Sequence, residues 1–481
     1  MWAELLTAGS LRPCAEFSSA PVENSPIACS NRAFISAGGI TTCGTALAPT
    51  RDVSASLRAM IVLGGVLFLA LPGTAQRRET DLERDLRKFY ESVGDRGVWI
   101  DARGRPTLDA QRVLARLRDV AEDGLEPGEY RVDELGRQAV ALNAGEAFSA
   151  IDAAAFDVGL TAGVLKYFRH LHLGRVSPRA LGFHLDHAME PHDFPERLQS
   201  ALSSHSYDRV VAELRPPFAQ YRGLRKALAE YRDREPARAR QIELAMERLR
   251  WLPDVTGGRL LVVNIPMFYL WGWDAERADG IPSIAMAAIT GRARATRTPV
   301  FASTIMSVVF NPDWTVPESI LRNEILPAIA ANPDYLVQHH MEIAGTGGVR
   351  QLPGPWNALG PIKFFLPNIH GVYLHGTPVP ALFKEERRDF SHGCVRVADP
   401  FALAAWVLKD EPDWPPDRIR AMVADGMTRS VKVARPPRIV LFYMTAAFVP
   451  EDRTVQFAED VYGHDARLDA WLLARSEGGE R

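Results

Sequence analysis

The chain has 481 residues, with 56 Lys and Arg against 59 Asp and Glu, 47% hydrophobic residues and four cysteines. A chain of this length is expected to form two or three domains of ~100–200 residues each, and its apolar content is sufficient for sizeable cores. The net charge of −3 excludes a broad electrostatic attachment to nucleic acid or to an anionic membrane, because either would require a strongly basic surface.

A short apolar run near the N-terminus is typical of a secretory signal peptide. It covers residues 59–71, follows Arg58 and is followed by small residues up to Ala75. The run is shorter than the ~20 residues that span a bilayer. We therefore predict that residues 1–75 are a leader and signal peptide, removed or disordered, and that the mature protein is exported. The alternative is an uncleaved leader that holds the protein transiently at a membrane.

The cysteines divide into two groups. Cys14, Cys29 and Cys43 lie in the leader, and Cys394 stands alone. After export, Cys394 would have no disulfide partner in its own chain. It is then either a buried, inert thiol or a reactive one.

Residues 76–256 are predicted to form a helical domain, because apolar residues recur there at three- and four-residue steps. The clearest helices are expected from Asp81 to Gly94, from Thr107 to Gly124, from Ala150 to Gly174 and from Arg225 to Leu252.

After Pro253 the pattern changes to short β-prone runs punctuated by Gly, Pro, Asn or Asp. The runs cover residues 260–265, 300–304, 307–310, 362–366, 371–374 and 439–443. Helices over residues 317–331 and 399–409 interrupt them. The pattern predicts an α+β protein, with a boundary near Gly257, a mainly β domain over residues 257–450 and a C-terminal tail over residues 451–481.

The residues that can carry chemistry are concentrated between His370 and Arg396. The segment contains His375-Gly-Thr377 and Ser391-His392-Gly393-Cys394-Val-Arg396. A thiol becomes a good nucleophile as a thiolate, which a nearby imidazole can generate. The expected thiolate–imidazolium pair predicts a bell-shaped dependence of rate on pH. Backbone N–H groups near the glycine could stabilise an oxyanion, and Arg396 favours the thiolate.

Two other types of site are weaker explanations of the same residues. Zinc would accept His370, His375, His392 and Cys394 as ligands, but the His-x-Cys spacing is tight for one ion. A papain-like site would place its histidine well after the cysteine, and only His464 follows Cys394. We therefore expect no metal and no cofactor.

The motif resembles the L,D-transpeptidase catalytic domain, also called the YkuD-type domain. That family combines a His-Gly-Thr-like element with Ser-His-Gly-Cys and a following Arg or Asn. Three further segments, residues 311–317, 354–357 and 363–367, are similar to the large Gram-negative periplasmic subgroup, and residues 123–127 and 249–253 resemble its helical scaffold domain. The resemblance implies an N-terminal helical scaffold domain followed by a mainly β L,D-transpeptidase catalytic domain.

The resemblance also implies a reaction and a set of roles. The family cleaves the bond between residues three and four of a peptidoglycan stem peptide and joins the acyl group to an amine of a neighbouring stem, which gives a 3→3 cross-link. Cys394 would be the nucleophile and His375 the general base. His392 and Gly393 would contribute to the oxyanion site with the Cys394 N–H, and Arg396 would support the motif loop. The expected compartment is the periplasm, and carbapenems are expected to acylate the cysteine.

Three aromatic side chains are candidates for binding substrate. Tyr373 would lie near His375 if the strand alternates regularly, although a core position is an equal alternative. Trp314 and Trp356 occupy Pro- and Gly-rich loops that could line a cleft, and packing on the core is again the alternative. Residues 332–354, rich in glycine, are predicted to be a long flexible loop that acts as a lid.

Several functions remain open from the residues. Water in place of the acceptor amine would make the protein an L,D-carboxypeptidase, and a protein acceptor would make it a wall-protein attachment enzyme. A non-catalytic wall-binding protein is the alternative from another class, although the motif is complete. His184, His187 and His192 are expected to form an ordinary surface cluster rather than a metal site.

Overall fold

The computed structural model describes residues 80–94, 96–144, 149–185, 192–252, 258–274, 280–345 and 347–478. The predicted leader over residues 1–75, the boundary near Gly257 and the candidate His187 lie outside these ranges. Within the described ranges, no helix combines the length and the apolar character that crossing a membrane requires.

The described chain up to residue 252 is helical. Its α-helices are α1 (Asp81–Ser92), α2 (Leu108–Arg118), α3 (Val132–Ala144), α4 (Ala150–Leu173), α5 (Phe194–Ser203), α6 (Tyr207–Leu214), α7 (Ala219–Arg232) and α8 (Pro236–Leu249). Short 3-10 helices cover Asp119–Asp123, Pro127–Tyr130 and Pro178–Leu181.

Local signals explain where the first predicted helices begin and end. The Thr107 hydroxyl accepts a hydrogen bond from the Ala110 N–H at 3.1 Å and so caps α2. Helix α4 begins at a capping box on Ser149 and ends at Gly174. The predictions for α1, α2 and α4 are confirmed, with α2 continuing as a 3-10 turn to Gly124.

The prediction of one continuous helix from Arg225 to Leu252 is wrong. The chain forms two helices, α7 and α8, which are interrupted between Asp233 and Glu235. Pro236 is the first residue of α8. Proline has no N–H to donate to the preceding turn, and its ring disfavours a helical conformation of the residue before it.

The described chain after residue 258 is mainly β. Its strands are β1 (Leu260–Asn264), β2 (Tyr269–Trp273), β3 (Ile284–Ile289), β4 (Phe301–Thr304), β5 (Ser307–Phe310), β6 (Trp314–Thr315), β7 (Met341–Ile343), β8 (Val349–Gln351), β9 (Ile362–Phe365), β10 (Leu374–His375), β11 (Val395–Val397), β12 (Arg429–Lys432), β13 (Arg438–Phe442), β14 (Ala446–Val449) and β15 (Thr454–Phe457). Helices α9 (residues 318–331, with a π-helical turn at Leu321–Ile325), α10 (Tyr335–Gln338), α11 (Pro400–Val407), α12 (Pro416–Ala424) and α13 (His464–Gly478) lie between or after them. The architecture is α+β, as predicted.

Ten of these strands form one sheet in the order β12-β5-β9-β10-β11-β3-β2-β1-β13-β4. The pairs β1–β13 and β10–β11 are parallel, and the other neighbours are antiparallel. One sheet face packs on α11 and α12 through a core that includes Phe364, Leu374 and Val395. A second core contains Val262 and Val440 of the sheet together with side chains of α7, α8 and α13. The helical region and the sheet therefore share a buried core.

The prediction of a long flexible loop over residues 332–354 is wrong, because this segment forms regular secondary structure. The segment contains α10 and a hairpin of β7 and β8, and β8 also pairs with β6. Its glycines Gly347 and Gly348 occupy the hairpin turn rather than a loop. A small separate core, with Val316, Ile320 and Val349, stabilises this segment. We call residues 311–358 the hairpin subdomain. Its role as a lid stays a prediction.

The predicted C-terminal tail contains folded elements. Strand β15 pairs with β14, and α13 packs on α8. An ion pair joins Arg248 to Asp465, and Arg240 contacts Asp469 at 2.6 Å. Residues 454–478 thus fold back on the last helix of the helical region. The limits of the predicted domains stay predictions.

Candidate active site

The motif loop is a tight turn that ends at Cys394. The Ser391 hydroxyl donates to the Cys394 carbonyl at 2.5 Å and accepts a hydrogen bond from the Gly393 N–H at 3.1 Å. Gly393 has φ +112°, a conformation that side chains other than glycine rarely adopt. The sequence Ser-His-Gly-Cys therefore fixes the backbone that presents the thiol.

Strand pairing places the candidate residues on one face of the sheet. In the parallel pair β10–β11, Leu374 is opposite Val395 and His375 is opposite Arg396. A hydrogen bond from the Val395 N–H to the Tyr373 carbonyl continues this register. Leu374 and Val395 point into the core, and successive side chains of a strand alternate between faces. The other face therefore carries Tyr373, His375, Cys394 and Arg396.

The sulfur of Cys394 lies among hydrogen-bond donors and two cations. The N–H and the hydroxyl of Tyr373 both interact with it, and Sγ is 3.9 Å from the Gly371 carbonyl oxygen. Burial raises the pKa of the Cys394 thiol. The Tyr373 donors, followed by the charges of Lys363 and Arg396, act in the opposite direction without reversing the shift. The resting group is therefore a thiol. The Tyr373 donors and the two cations lower the free energy of forming the thiolate at this buried position.

His375 is buried and oriented by the backbone. Its Nδ1 lies 2.7 Å from the Gly376 carbonyl oxygen, so Nδ1 carries the proton and Nε2 is left as the acceptor. Burial lowers the pKa of His375 to about 3, and the positive charges of Arg396 and Lys363 add to this effect. Hydrogen bonds to the backbone of Gly376 and Leu359 favour protonation but do not compensate. The imidazole is therefore neutral near pH 7.

The structure does not support the predicted thiolate–imidazolium pair in the resting state. Burial raises the pKa of Cys394 and lowers that of His375, so both groups are neutral. In the described part of the chain, no hydrogen bond joins Sγ to His375 or His392. Catalytic hydrogen bonds are often long before substrate binds. A neutral thiol and a neutral imidazole predict a rate that rises with pH rather than a bell centred near neutrality.

His392 faces the hairpin subdomain. Its Nε2 lies 2.7 Å from Oε1 of Glu324, in the π-helical turn of α9. The sequence left open whether His375 or His392 serves Cys394. The hydrogen bond to Glu324 occupies His392 Nε2, whereas His375 lies on the same sheet face as Cys394.

The three aromatic candidates have different positions. Tyr373 contacts the sulfur, and its ring is 5.7 Å from the ring of His375. The Trp314 side chain hydrogen-bonds the Tyr373 hydroxyl, which brings β6 of the hairpin subdomain to the site. Trp356 is 41% exposed and stacks on His340 with ring centroids 3.6 Å apart. Substrate binding by these residues stays a prediction.

Lys363 is a member of the site that sequence reasoning did not single out. In the antiparallel pair β9–β10 it is opposite His375, and its Nζ lies 4.0 Å from the centre of the Tyr373 ring. Burial lowers the pKa of Lys363, while the Cys394 thiolate and Asp313 favour its charge. A lysine within the apolar run Ile362-Lys-Phe-Phe indicates that this position lies on the strand face that points away from the core. The sequence alone does not show which residues that face contacts, because this depends on the strand that pairs with β9.

The histidines considered as metal ligands contact different partners. The His370 ring packs edge-on against His184 and at a tilt against Phe301, with ring centroids 5.0 and 5.3 Å away. His192 stacks on Phe194. Among the residues that the structure describes, no group of three or more His, Cys, Asp or Glu could hold a metal ion.

Lowering the pH from about 6.5 to about 4 is expected to reduce the free energy of unfolding. Burial, with nearby arginines, lowers the pKa of His375 to about 3 and that of His464 to about 4. Both residues titrate near 6.5 in an unfolded chain, so the unfolded state binds the protons first. Thermal unfolding measured across this range by circular dichroism should show the loss, and His375→Gln should reduce its slope. An unchanged slope in that variant would contradict a buried neutral His375.

Two protein-family models match the chain. A scaffold domain matches residues 84–228, and an L,D-transpeptidase catalytic domain of the YkuD family matches residues 258–426. The chain therefore carries a YkuD-type L,D-transpeptidase catalytic domain preceded by a Scaffold domain. The catalytic-domain match contains the whole motif from His375 to Arg396. It also includes the Arg-rich segment after β3 and the hairpin subdomain.

Individual relatives match parts of the chain. A Haemophilus influenzae protein named "Putative L,D-transpeptidase" is 32% identical over 249 residues, which are 47% of this chain and 49% of that protein. The chain thus spans about half the length of this curated relative. A solved L,D-transpeptidase from Mycobacterium smegmatis is 15% identical, covering 38% of this chain and 58% of its own. Its TM-score of 0.22 does not establish a shared overall fold.

Proposed function

We propose that the protein is a peptidoglycan L,D-transpeptidase that forms 3→3 cross-links between stem peptides through an acyl-enzyme on Cys394. The supporting observation is the shared sheet face. It presents a thiol contacted by the Tyr373 N–H and hydroxyl, and an imidazole whose Nδ1 is bound to the Gly376 carbonyl. Covalent acyl transfer requires a nucleophile, a base and a group that orients the base. Here these are Cys394, His375 and the Gly376 carbonyl.

The first step would transfer the donor acyl group to sulfur. Nε2 of His375 takes the thiol proton as Sγ attacks the carbonyl carbon of the third stem residue. The C–S bond forms, the bond to the fourth residue breaks, and the proton passes to the departing amine of D-alanine. The Tyr373 donors stabilise the thiolate along this path because charge-assisted hydrogen bonds to sulfur favour the ionised form.

The second step would release the acyl group to an amine of another stem. His375 takes a proton from the attacking amine, the new amide bond forms as the C–S bond breaks, and the proton passes to the departing sulfur, which regenerates the thiol. In both steps the developing oxyanion needs donors. The Gly393 N–H is used by Ser391, whereas the Cys394 N–H makes no hydrogen bond to a described residue. Cys394 N–H is therefore the backbone donor that we assign to this oxyanion, with Lys363 and Arg396 supplying positive charge.

Arg396 would act on the site through its charge. Its side chain is partly buried, and its Nε makes no hydrogen bond to a described residue. Burial lowers the pKa of Arg396, and the nearby Arg292 adds to this effect, while a Cys394 thiolate favours the charged form. The uncompensated guanidinium thus favours ionisation of the sulfur.

Incubation with a carbapenem tests the acyl-enzyme. The intact protein should gain one drug mass by mass spectrometry, and folded Cys394→Ala should gain none. Release of D-alanine from a tetrapeptide then separates an active enzyme from a non-catalytic wall-binding protein. Products with a new amide indicate transpeptidation, and free tripeptide alone would indicate an L,D-carboxypeptidase. A folded wild-type protein that stays unmodified and releases no D-alanine would contradict the proposal.

The compartment that we propose is the periplasm. The proposal is supported by the signal-like run over residues 59–71 and by the single cysteine that would remain after cleavage. Peptidoglycan stems would be the partners there.

A further inference from the structure

An open pocket of about 720 Å³ lies beside the motif loop and is lined by arginines. Its charged lining consists of Arg292, Arg294, Arg297, Arg387 and Asp389. Phe390 and Tyr462 add aromatic surface, and the Arg297 guanidinium lies 5.5 Å from the centre of the Tyr462 ring. A cavity that combines aromatic walls with several guanidinium groups is suited to an organic anion.

The arginines belong to a segment that is bound directly to the motif loop. We call residues 291–298 the arginine loop. The Arg292 N–H donates to the Ser391 carbonyl at 3.1 Å, and the Thr296 hydroxyl donates to the same oxygen at 2.9 Å. The Thr298 hydroxyl donates to the Gly393 carbonyl at 2.8 Å. The pocket is therefore at a fixed position relative to Cys394.

The charge of the arginine loop is largely uncompensated. Arg387 is paired with Asp389 at 2.7 Å and lies 3.9 Å from Glu459. In contrast, Arg292, Arg294 and Arg297 are exposed and make no ion pair with a described residue. Three positive charges thus occur within six residues of a chain whose net charge is −3. Such a local excess attracts an anion to one place rather than to the whole surface.

The arginine loop and the catalytic base lie on opposite sides of the nucleophile. In the sheet order β9-β10-β11-β3, Lys363 and His375 are on the strands to one side of β11. The arginine loop follows β3, on the other side, and runs beside the segment that leads into β11. A peptide whose reacting carbonyl is at Cys394 can therefore extend away from His375 toward the arginines.

We infer that the arginine loop and Arg387 form a subsite for a free carboxylate of the stem peptide that reacts at Cys394. The inference rests on the proposed function, because that function supplies a peptide with free carboxylates. Guanidinium groups bind carboxylates by paired, charge-assisted hydrogen bonds, which fix orientation as well as affinity. The subsite would set the register of the stem so that its third carbonyl carbon meets the sulfur.

Equilibrium binding to the full chain tests this subsite. The probe is a tetrapeptide stem, prepared with free carboxylates and with every carboxylate amidated, and Cys394→Ala protein prevents turnover during calorimetry. Adding Arg292→Gln and Arg294→Gln is expected to raise the Kd for the free-carboxylate stem by about 10-fold or more. The Kd for the amidated stem should not change. The matched control, Arg103→Gln with Arg112→Gln, removes two exposed positive charges from the helical region and should leave both Kd values unchanged.

The same substitutions in protein that retains Cys394 separate this subsite from the proposed function. We expect a higher KM for release of D-alanine, with kcat preserved, and Arg292→Lys with Arg294→Lys should restore part of the affinity. Equal binding of the free and amidated stems, or equal loss in the control pair, would overturn the subsite. Arginine-dependent binding without any D-alanine release would support the subsite and contradict the enzyme. Release of D-alanine with a KM that does not depend on the arginines would support the enzyme and contradict the subsite.

Discussion

His375→Gln is expected to lower the rate of D-alanine release by about 10²–10⁴-fold, the range that general-base catalysis contributes. Glutamine retains a similar size and can still donate to the Gly376 carbonyl, but it cannot take a proton from the Cys394 thiol. The thiol would then have to ionise without a base, although burial already raises its pKa. The loss should therefore appear in kcat, with little change in the KM for the stem.

The matched variants are His392→Gln and His205→Gln. His392 is bound to Glu324, so we expect a smaller loss that reflects a displaced motif loop. His205 is an exposed histidine of the helical region, and its replacement should leave the rate unchanged. Circular dichroism should show that each variant is folded. A His375→Gln protein with full activity, together with an inactive His392→Gln protein, would transfer the base role to His392.

The pH dependence of wild-type D-alanine release distinguishes the two descriptions of the resting site. With a neutral thiol and a neutral imidazole, the rate should rise as the pH approaches the raised pKa of Cys394. It should not show an acid-limb pKa near 6.5 from His375, because that pKa is lowered to about 3. A bell with one limb near 6.5 would instead support the ion pair expected from the sequence.

The motif residues could be found from the sequence because their spacing along the chain is short and specific. Cys394, His375 and Arg396 lie on one sheet face because β10 pairs with β11. Lys363 could not be assigned in this way. Its relation to His375 depends on which strand pairs with β10, and that pairing joins residues that are distant in sequence. The shift of both catalytic pKa values toward the neutral forms depends on burial, which no motif encodes.

The fold shows the same division between local and non-local signals. Helices with caps and glycine ends, such as α2 and α4, could be predicted within a few residues. Strand β2, with Trp271 and Trp273, was not assigned, because its stability comes from pairing with β1 and β3. The β7–β8 hairpin was predicted as a loop, because glycine-rich, polar sequences form strands only when a partner such as β6 is available.

Glu247→Gln is expected to reduce the free energy of unfolding by about 3–5 kcal/mol, because it leaves buried Arg250 without its carboxylate partner and removes one of the two carboxylates that face Arg175. Glu247 is fully buried. Its carboxylate contacts Arg250 at 2.8 Å and Arg175 at 3.4 Å, and it accepts backbone hydrogen bonds from Arg175 and Val176. Burial alone would raise the pKa of Glu247. The two guanidinium groups and the backbone donors outweigh it, so the pKa is lowered.

The network connects elements that are far apart in the sequence. Arg175 follows α4, whereas Glu247 and Arg250 lie at the end of α8, just before the sheet begins. Arg250 also donates to the Tyr221 hydroxyl at 2.9 Å. Losing the central carboxylate should therefore loosen α4, α7 and α8 together. A single cooperative loss is expected rather than local fraying.

Urea unfolding followed by circular dichroism measures the effect, with Glu318→Gln as the matched control. Glu318 forms a helical ion pair with Arg322 in which both side chains are 71% exposed, so its loss should cost less than about 1 kcal/mol. Because the pKa of Glu247 is lowered, its contribution should be present above the unfolded value near 4.5 and should decline as the pH falls below it. Similar losses in the two variants would show that the buried network adds no more stability than a surface pair.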